Sequence, residues 1–246
     1  MRIWLLNQFY PPDAAPTGVM LAGVAGQLAA DGHEVVVWCS GGAYGGVGGL
    51  RRPMPNDECR MTNGDADVGG PLSVVGEEAG GRRGCRMTNE GRGEMQVVEV
   101  RRVGRAGAGK RLAAKFVGWS GFYLGLAWRL VRGRPRPDLI VAMTTPPFLS
   151  VLARVAGWWH GARVAHWVMD LYPDALAAHG MVKEHSLAMA VLRRLARFGF
   201  GGRGNGPIVV LGPCMAGRVA ALVGKASDVR WVPLWAGEGG ETKAES

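Results

Sequence analysis

The sequence lacks the short motifs that mark several large enzyme classes. No Gly-x-Gly-x-x-Gly follows its first apolar run, and no Walker phosphate-binding sequence occurs anywhere in the 246 residues. The first absence argues against a dinucleotide oxidoreductase. A Gly-x-Ser-x-Gly elbow is also missing, so the serines have no nucleophile context that would support a hydrolase.

Cysteine is scarce, and the cysteines are not paired in the way that metal sites require. The four of them, Cys39, Cys59, Cys85 and Cys214, include no Cys-x-x-Cys pair. We therefore expect a reducing cytosol, no disulfide scaffold and no metal site. The N-terminus reaches the polar Asn7 after only four apolar residues. Because it lacks the core of a signal peptide, we expect no export.

Acidic residues are missing from one long stretch of a strongly basic chain. The formal net charge is +9 and the pI is about 9.9. Between Arg101 and Arg136 there are ten Lys or Arg residues and no Asp or Glu. Such an asymmetry predicts that this region contacts an anionic surface, either a membrane or a nucleic acid.

The same stretch contains an uncharged segment, residues 116–128. Its thirteen residues are too few to span a bilayer, which takes about 20. An apolar, aromatic helix between basic clusters is typical of a helix lying at an anionic lipid interface. The alternative is a buried helix whose basic ends are solvated. The predicted membrane contacts are Lys110, Arg111, Lys115, Trp119, Trp128, Arg129 and Arg132.

What the sequence does contain is a regular alternation of strand and helix patterns. Seven strands are predicted, at residues 2–9, 34–39, 96–103, 138–143, 162–168, 208–211 and 229–232, with helical patterns between most of them. This order predicts one α/β domain over residues 1–235, a doubly wound, mostly parallel, Rossmann-like sheet. Residues 236–246 form a polar tail. In the helical pattern 183–200, we predict Leu187, Val191, Leu195 and Phe198 inside and the arginines outside.

Residues 41–95 differ in composition from the rest of the chain. Fifteen of these 55 residues are glycine, and Phe and Trp are absent. Such a segment buries too little apolar area to offset its ordering entropy, so we predict a flexible insertion between strands two and three. Cys-Arg-Met-Thr-Asn occurs twice, at residues 59–63 and 85–89. The repeat suggests either a duplicated linker or a metal or dimer contact.

The fifth predicted strand ends in a turn that carries two carboxylates and a phenol: Asp170, Tyr172 and Asp174. In a parallel sheet this turn lies at the carboxyl end of a strand, where ligands bind because loops and helix N-termini converge there. Asp170 is therefore the first candidate for a catalytic residue. We expect His166, in the middle of the strand, to be a hydrogen-bonded core residue rather than a base.

Several short motifs, in this order along the chain, resemble the N-terminal domain of GT-B glycosyltransferases of family 4, the kind that build surface polysaccharides. They cover nearly all of the chain outside residues 41–95. They are Asn7-Gln8-Phe9-Tyr10-Pro11-Pro12-Asp13, Thr17-Gly18, the segment 28–37, Pro137-Asp138-Leu139-Ile140-Val141, Thr145-Pro146-Pro147, Asp170-Leu171-Tyr172-Pro173-Asp174 and Val232-Pro233-Leu234-Trp235.

The resemblance implies an acceptor-binding half of a glycosyltransferase. It gives Asp170 a catalytic role and places Tyr172, Asp174 and Thr145 toward the acceptor, although Asp174 alternatively caps the following turn. It places Gly18, with Thr17, near the donor phosphates, since a diphosphate approaches backbone N–H groups most easily at a glycine. A plain helix-start glycine is the alternative. Many relatives carry a histidine before the aspartate, and Met169 stands there, which argues against acid/base help from that position.

The family's second Rossmann domain, with a basic pair and a Glu-x7-Glu element that hold the donor, has no counterpart in these residues. We therefore predict sugar transfer from a nucleotide-sugar donor to a lipid-linked or polysaccharide acceptor at the inner face of the plasma membrane, with the donor-binding half on another chain. The nucleotide sugar is a co-substrate, and no further cofactor or nucleic acid is expected. The rival hypotheses are a non-catalytic remnant or membrane adaptor, and nucleic-acid binding by the basic surface.

Overall fold

The computed structural model describes residues 1–13, 15–41, 72–79, 82–89, 96–103, 112–202, 205–224 and 228–234, with the backbone alone for 72–79, 82–89, 96–97 and 112–119. The strands in these ranges are β1 (Arg2–Leu6), β2 (Glu34–Ser40), β3 (Leu72–Ala79), β4 (Arg82–Asn89), β5 (Gln96–Val103), β6 (Leu139–Met143), β7 (Arg163–Val168), β8 (Asn205–Val210) and β9 (Val229–Trp231). The helices are α1 (Pro16–Ala30), α2 (Leu112–Arg132), α3 (Leu149–His160), α4 (Asp174–Ala178), α5 (Leu187–Phe200) and α6 (Pro213–Val223).

All the strands belong to one sheet with the order β3-β4-β5-β2-β1-β6-β7-β8-β9. The seven strands from β5 to β9 in that order pair in parallel. The predicted doubly wound, mostly parallel, Rossmann-like sheet is thus confirmed. The strand order reverses at β1, which lies between β2 and β6. In such sheets this reversal is the switch point beside which ligands bind.

Strand β1 is covered on both faces, which explains its continuously apolar sequence. Ile3 and Leu5 join the core beneath α1. Trp4 and Leu6 join the core on the opposite face, beneath α2 and α3. Each of these four side chains is at most 2% exposed. The β1–β6 part of the sheet therefore provides a rigid support for the loops that leave it.

Helix α1 packs on the sheet through one side. Leu21, Ala25 and Ala29 are buried, and Met20, Val24 and Leu28 pack partly buried against the same core. The spacing of three and four residues places these side chains on one side of the helix. The helix begins at Pro16, as is common at a first helical position.

The predicted inner face of α5 is wrong. Leu187, Val191, Leu195 and Phe198 are 83%, 51%, 41% and 45% exposed, whereas the buried residues are Met189, Ala196, Gly199 and Phe200. The close approach of α3 explains this choice. A Cβ on Gly199 would lie 2.4 Å from the Ser150 Oγ atom, so only a glycine fits where the two helices meet.

The predicted flexible insertion over residues 41–95 contains two strands, at 72–79 and 82–89, which the sequence did not predict. Strand β4 pairs antiparallel with β5, and β3 pairs antiparallel with β4. Such a ladder pairs backbone N–H and C=O groups whatever the side chains are. Amino-acid composition therefore does not reveal that these strands form. The second copy of the repeat, 85–89, lies in β4. The first copy, 59–63, and the predicted tail, 236–246, lie outside the described residues.

Candidate functional site

The carboxyl ends of β1, β6 and β7 meet at one edge of the sheet because these three strands are parallel neighbours. The loops that follow them form a rim, which we define as residues 7–13, 15–18, 144–148 and 169–174. Gly18 and Asp170 therefore lie on the same edge. The rim contains the predicted catalytic, acceptor-binding and donor phosphate-binding residues: Thr17, Gly18, Thr145, Asp170, Tyr172 and Asp174.

Backbone hydrogen bonds join the loops after β1, β2 and β6. The Gln8 N–H donates to the Thr145 carbonyl oxygen at 2.8 Å, and the Ser40 N–H donates to the Gln8 carbonyl oxygen at 2.9 Å. Thr145, a predicted acceptor contact, thus also fixes the first loop through its main chain. These bonds hold the switch point in one arrangement.

Thr144 positions the start of the Asp170 loop. Its side chain is buried, and its Oγ1 atom accepts hydrogen bonds from the backbone N–H groups of Met169 at 3.1 Å and Asp170 at 3.0 Å. Thr144 was not among the predicted site residues. The available signal was a polar side chain directly after a buried strand, in the next loop along the rim.

Asp170 is exposed, and Tyr172 beside it is half-buried. Burial and, to a smaller extent, the negative charge of Asp170 raise the pKa of the Tyr172 phenol. The phenol therefore stays protonated at neutral pH and is able to donate a hydrogen bond. Its ring centroid lies 6.4 Å from that of Phe148. The rim presents a carboxylate acceptor next to a phenol donor.

The loop before α3 is held in a strained conformation next to this pair. Phe148 has a φ of 64°, a left-handed value that is uncommon for a bulky residue. The Tyr123 hydroxyl of α2 donates a hydrogen bond to the Pro147 carbonyl oxygen. Burial, and secondarily Tyr172, raises the pKa of Tyr123. Helix α2 therefore supports the rim from below.

A cavity of about 10 Å³ lies under Tyr172. A volume of this size holds one water molecule at most. It is lined by Thr144, Phe148, Leu149, Ser150, Tyr172, Ala196 and Phe200. A sugar does not fit there, so this cavity is not a sugar-binding site.

The structure gives a packing reason for a glycine at position 18, which the sequence did not reveal. Its N–H donates to the Ala15 carbonyl oxygen at 2.9 Å, and a Cβ would lie 3.1 Å from the Phe9 carbonyl carbon and 3.2 Å from the Tyr10 nitrogen. The glycine lets α1 pack directly on the first loop. A contact with donor phosphates stays a prediction. The neighbouring Thr17 hydroxyl is buried without a hydrogen-bond partner among the described residues.

Arg102, near the end of β5, was counted in the sequence only as part of the basic stretch. Its guanidinium donates to the Pro11 carbonyl oxygen at 2.6 Å and to the Ser40 carbonyl oxygen at 3.3 Å. It also lies 4.0 Å from the Asp13 carboxylate. The side chain reaches across β2 and holds the first loop. Distant pairing of this kind is not visible in sequence spacing.

Two interpretations from the sequence, a helix cap by Asp174 and a hydrogen-bonded His166, differ from the structure. Asp174 makes no side-chain capping bond. It lies in the first turn of α4, and its carboxylate is 3.6 Å from Arg218 of α6. His166 is a core residue as predicted, but neither ring nitrogen has a partner among the described residues. Burial, and secondarily Arg154, lowers the His166 pKa to about 3, so the ring is neutral.

Of the predicted membrane contacts, Trp128, Arg129 and Arg132 are exposed on α2, and the Arg132 guanidinium lies 3.2 Å from the Trp128 ring centroid. The opposite side of the same helix is buried in the core. The helix is therefore buried on one side and exposed on the other, and a lipid contact by the exposed side stays a prediction. Lys115 and Trp119 lie in α2 without described side chains, and Lys110 and Arg111 lie outside the described residues.

The strand order defines a doubly wound α/β, Rossmann-like lobe. Among solved structures, the chain is similar to the catalytic domain of starch synthase IV from Arabidopsis thaliana bound to ADP and acarbose. The TM-score is 0.52 at 13% sequence identity, over 94% of this chain and 51% of that one. The chain thus spans about half the length of that structure. No protein-family model and no curated protein matches the sequence.

Proposed function

We propose that this chain is the acceptor-binding half of a glycosyltransferase that moves a sugar from a nucleotide-sugar donor to a lipid-linked or polysaccharide acceptor. The observation that carries the proposal is the exposed Asp170, whose backbone N–H donates to Thr144, on the rim of a GT-B-like lobe. The similar catalytic domain binds ADP and acarbose, a nucleotide and a sugar-like molecule. The motif resemblance to family 4 and its surface-polysaccharide enzymes supports the finer assignment.

The exposed side of the rim suits an acceptor sugar. In this proposal Asp170 accepts the proton of the attacking sugar hydroxyl, as a positioned carboxylate does in general base catalysis. Tyr172, whose phenol stays protonated, donates a hydrogen bond to a neighbouring hydroxyl. Thr145 and Asp174 complete the acceptor contacts, with Asp174 held by Arg218.

The start of α1 suits the donor phosphates. A helix of 15 residues presents a partial positive charge at its N-terminus, which favours an anion. The buried Thr17 hydroxyl offers a further donor there. The donor is otherwise held by a second half of the enzyme.

For the location we propose the cytoplasmic face of the plasma membrane, with the protein bound peripherally. The exposed Trp128, Arg129 and Arg132 support a lipid contact. Among the described residues, no helix has both the length and the apolar character to cross a bilayer. A lipid-linked acceptor would meet the rim at this surface.

The test is sugar transfer in membranes of cells that produce the chain, with labelled nucleotide sugars and extraction of the lipid fraction. We expect Asp170→Asn to lower transfer by about 100-fold or more without changing thermal stability, because the side chain is exposed. Asp228→Asn is the matched control, since that exposed carboxylate lies beside β9 and contacts Arg230.

Two outcomes contradict the proposal in different ways. Wild-type transfer by Asp170→Asn would remove Asp170 from the catalytic machinery. Equal sugar transfer in membranes from cells with the chain and from cells without it would favour the non-catalytic remnant or adaptor.

A further inference from the structure

Three helices on one face of the sheet carry exposed, large apolar side chains. Helices α2 and α3 pack side by side, and α5 packs on α3. The most exposed residues are Leu124 and Trp128 on α2, Trp158 on α3 and Leu187 on α5, at 73%, 62%, 82% and 83%. We call the outward side of these three helices the outer helix surface. It also includes Val131, Val155, Trp159, Val191, Leu195 and Phe198.

The exposed residues follow helical spacing, so they form stripes rather than scattered positions. On α5 they recur at Leu187, Val191, Leu195 and Phe198. On α2 the exposed Leu124, Trp128 and Val131 alternate with Phe122, Leu126 and Leu130, which are at most 1% exposed. The helices therefore have two apolar sides, one on the sheet and one outward. A surface helix of a water-soluble domain usually has a polar outer side, and a continuous apolar patch marks a binding surface.

The charges between these stripes have one sign. The three helices contain seven basic residues and no Asp or Glu. The nearest acidic residue in sequence is Glu184, which lies just before α5 and is 3.4 Å from Arg193. The basic residues are Lys115, Arg129, Arg132, Arg154, Arg193, Arg194 and Arg197. An occupant with this complementarity is anionic on its surface and apolar below it.

A groove of about 910 Å³ opens where the end of α2 meets the end of α3. Trp128, Val131 and Trp159 are among its apolar lining residues, and Arg132, Arg134 and Arg136 are its basic ones. Apolar walls beside three guanidinium groups suit the upper part of an acyl chain next to a phosphate headgroup. This combination occurs at one end of the outer helix surface.

We propose that the outer helix surface docks on an anionic lipid bilayer, with α2, α3 and α5 lying flat in the headgroup region. Indole rings concentrate at the membrane interface, and apolar area together with nearby cations determines the strength of such binding. A nucleic acid matches the cations but leaves the ten apolar side chains in water. The surface extends the α2 contact of the proposed function and does not depend on sugar transfer. If both hold, the rim opens sideways along the membrane, within reach of a lipid-linked acceptor.

The first experiment is co-sedimentation of the purified chain with phosphatidylcholine vesicles, with and without phosphatidylglycerol. We expect binding that requires phosphatidylglycerol. Trp158→Ser with Trp159→Ser, and Leu187→Ser with Val191→Ser, should each weaken it by about tenfold or more. The matched control is Trp231→Ser on β9, a side chain 57% exposed and outside the surface. For charge, Arg132→Glu with Arg194→Glu should weaken binding, and the exposed Arg230→Glu should not.

The second experiment measures depth through quenching of tryptophan emission by lipids with a nitroxide on the acyl chain. We expect quenching in the wild type, a smaller quenched fraction in Trp158→Phe with Trp159→Phe, and no decrease of that fraction in Trp231→Phe, which removes an emitter outside the surface. Circular dichroism and thermal melting establish that each variant is folded. A variant that fails to fold is replaced by the other pair, since the α3 and α5 pairs test the same surface.

Three results overturn the proposal. The first is vesicle binding that does not depend on phosphatidylglycerol. The second is full binding by both the α3 pair and the α5 pair, together with loss of binding in Arg129→Glu with Arg132→Glu. The latter confines the lipid contact to α2 and leaves the proposed function intact. The third is concentration-dependent self-association that the Trp158→Ser, Trp159→Ser variant loses, without any vesicle binding. Since no vesicle assay contains a donor sugar, loss of the transferase proposal leaves these results unaffected.

Discussion

The Oγ1 atom of Thr144 accepts a hydrogen bond from the backbone N–H of Asp170 at 3.0 Å. The bond joins the loop after β6 to the loop after β7, two segments that are 26 residues apart in the chain. A second bond, from the Met169 N–H at 3.1 Å, fixes the same turn. The position of the candidate catalytic carboxylate therefore depends on a buried hydroxyl in a different loop.

Replacing Thr144 tests this relationship directly. Thr144→Val leaves two N–H groups without an acceptor, so we expect it to lower the free energy of unfolding by about 1–3 kcal/mol. Thr144→Ser keeps the acceptor and should cost about 1 kcal/mol or less for the lost methyl group. Amide hydrogen exchange at Met169 and Asp170 should accelerate in the Val variant alone. Equal exchange in both variants would show that the hydroxyl does not hold the turn.

Gly18 and Gly23 lie on the same helix and offer a matched pair. A Cβ at Gly18 would press on the backbone of Phe9 and Tyr10, whereas nothing lies within 4 Å of a Cβ at Gly23. We expect Gly18→Ala to destabilise the fold by about 1–3 kcal/mol through overpacking. Gly23→Ala should stabilise it by about 0.5–1 kcal/mol through the better helix propensity of alanine. Urea unfolding measures both, and a neutral Gly18→Ala would show that the first loop yields easily.

Arg102 should control the order of the first loop. Arg102→Gln removes charge-assisted bonds to the Pro11 and Ser40 carbonyl oxygens, and we expect a loss of about 1.5–3 kcal/mol in the free energy of unfolding. Limited proteolysis should then cut residues 9–13 faster. Arg101→Gln is the control, because Arg101 contacts Glu99 and the Trp38 ring instead of the loop. Faster cleavage of the loop in both variants would argue against a specific role for Arg102.

His166 should make the protein less stable in acid. Its pKa is about 3 in the folded state against 6.5 ordinarily, so between these values the unfolded chain binds the extra proton. The free energy of unfolding therefore falls as the pH drops from about 6.5 toward 3, by at most about 1.4 kcal/mol per pH unit. Above pH 6.5 this contribution to stability is fully present.

His166→Leu removes that titration. We expect the stability difference between the variant and the wild type to grow in favour of the variant as the pH falls through this window, measured by urea unfolding at several pH values. Above the window the variant should be at least as stable, because two buried ring nitrogens without partners are lost. A stability difference that is independent of pH would contradict the burial argument.

The residue pattern alone predicted that Asp170 follows the end of a strand, where the structure also places it, but it predicted none of the contacts around it. Asp170 was predicted at the end of a strand because an apolar run stops there. Its position beside Thr144, and the reach of Arg102 to the first loop, depend on which strands are neighbours. Loops that meet at a sheet edge come from distant parts of the chain, and local sequence carries no record of their pairing.

The apolar and polar periodicities established the seven parallel strands, the helices between them and the buried side of α1, since burial of an amphipathic element leaves its period in the sequence. Periodicity groups residues by face without saying which face meets the sheet. In α5, the stripe of Leu187 and Val191 points outward, because Gly199 and Ala196 permit the close contact with α3. Only the packing of one helix on another decided that, and it exposed the surface on which the lipid proposal rests.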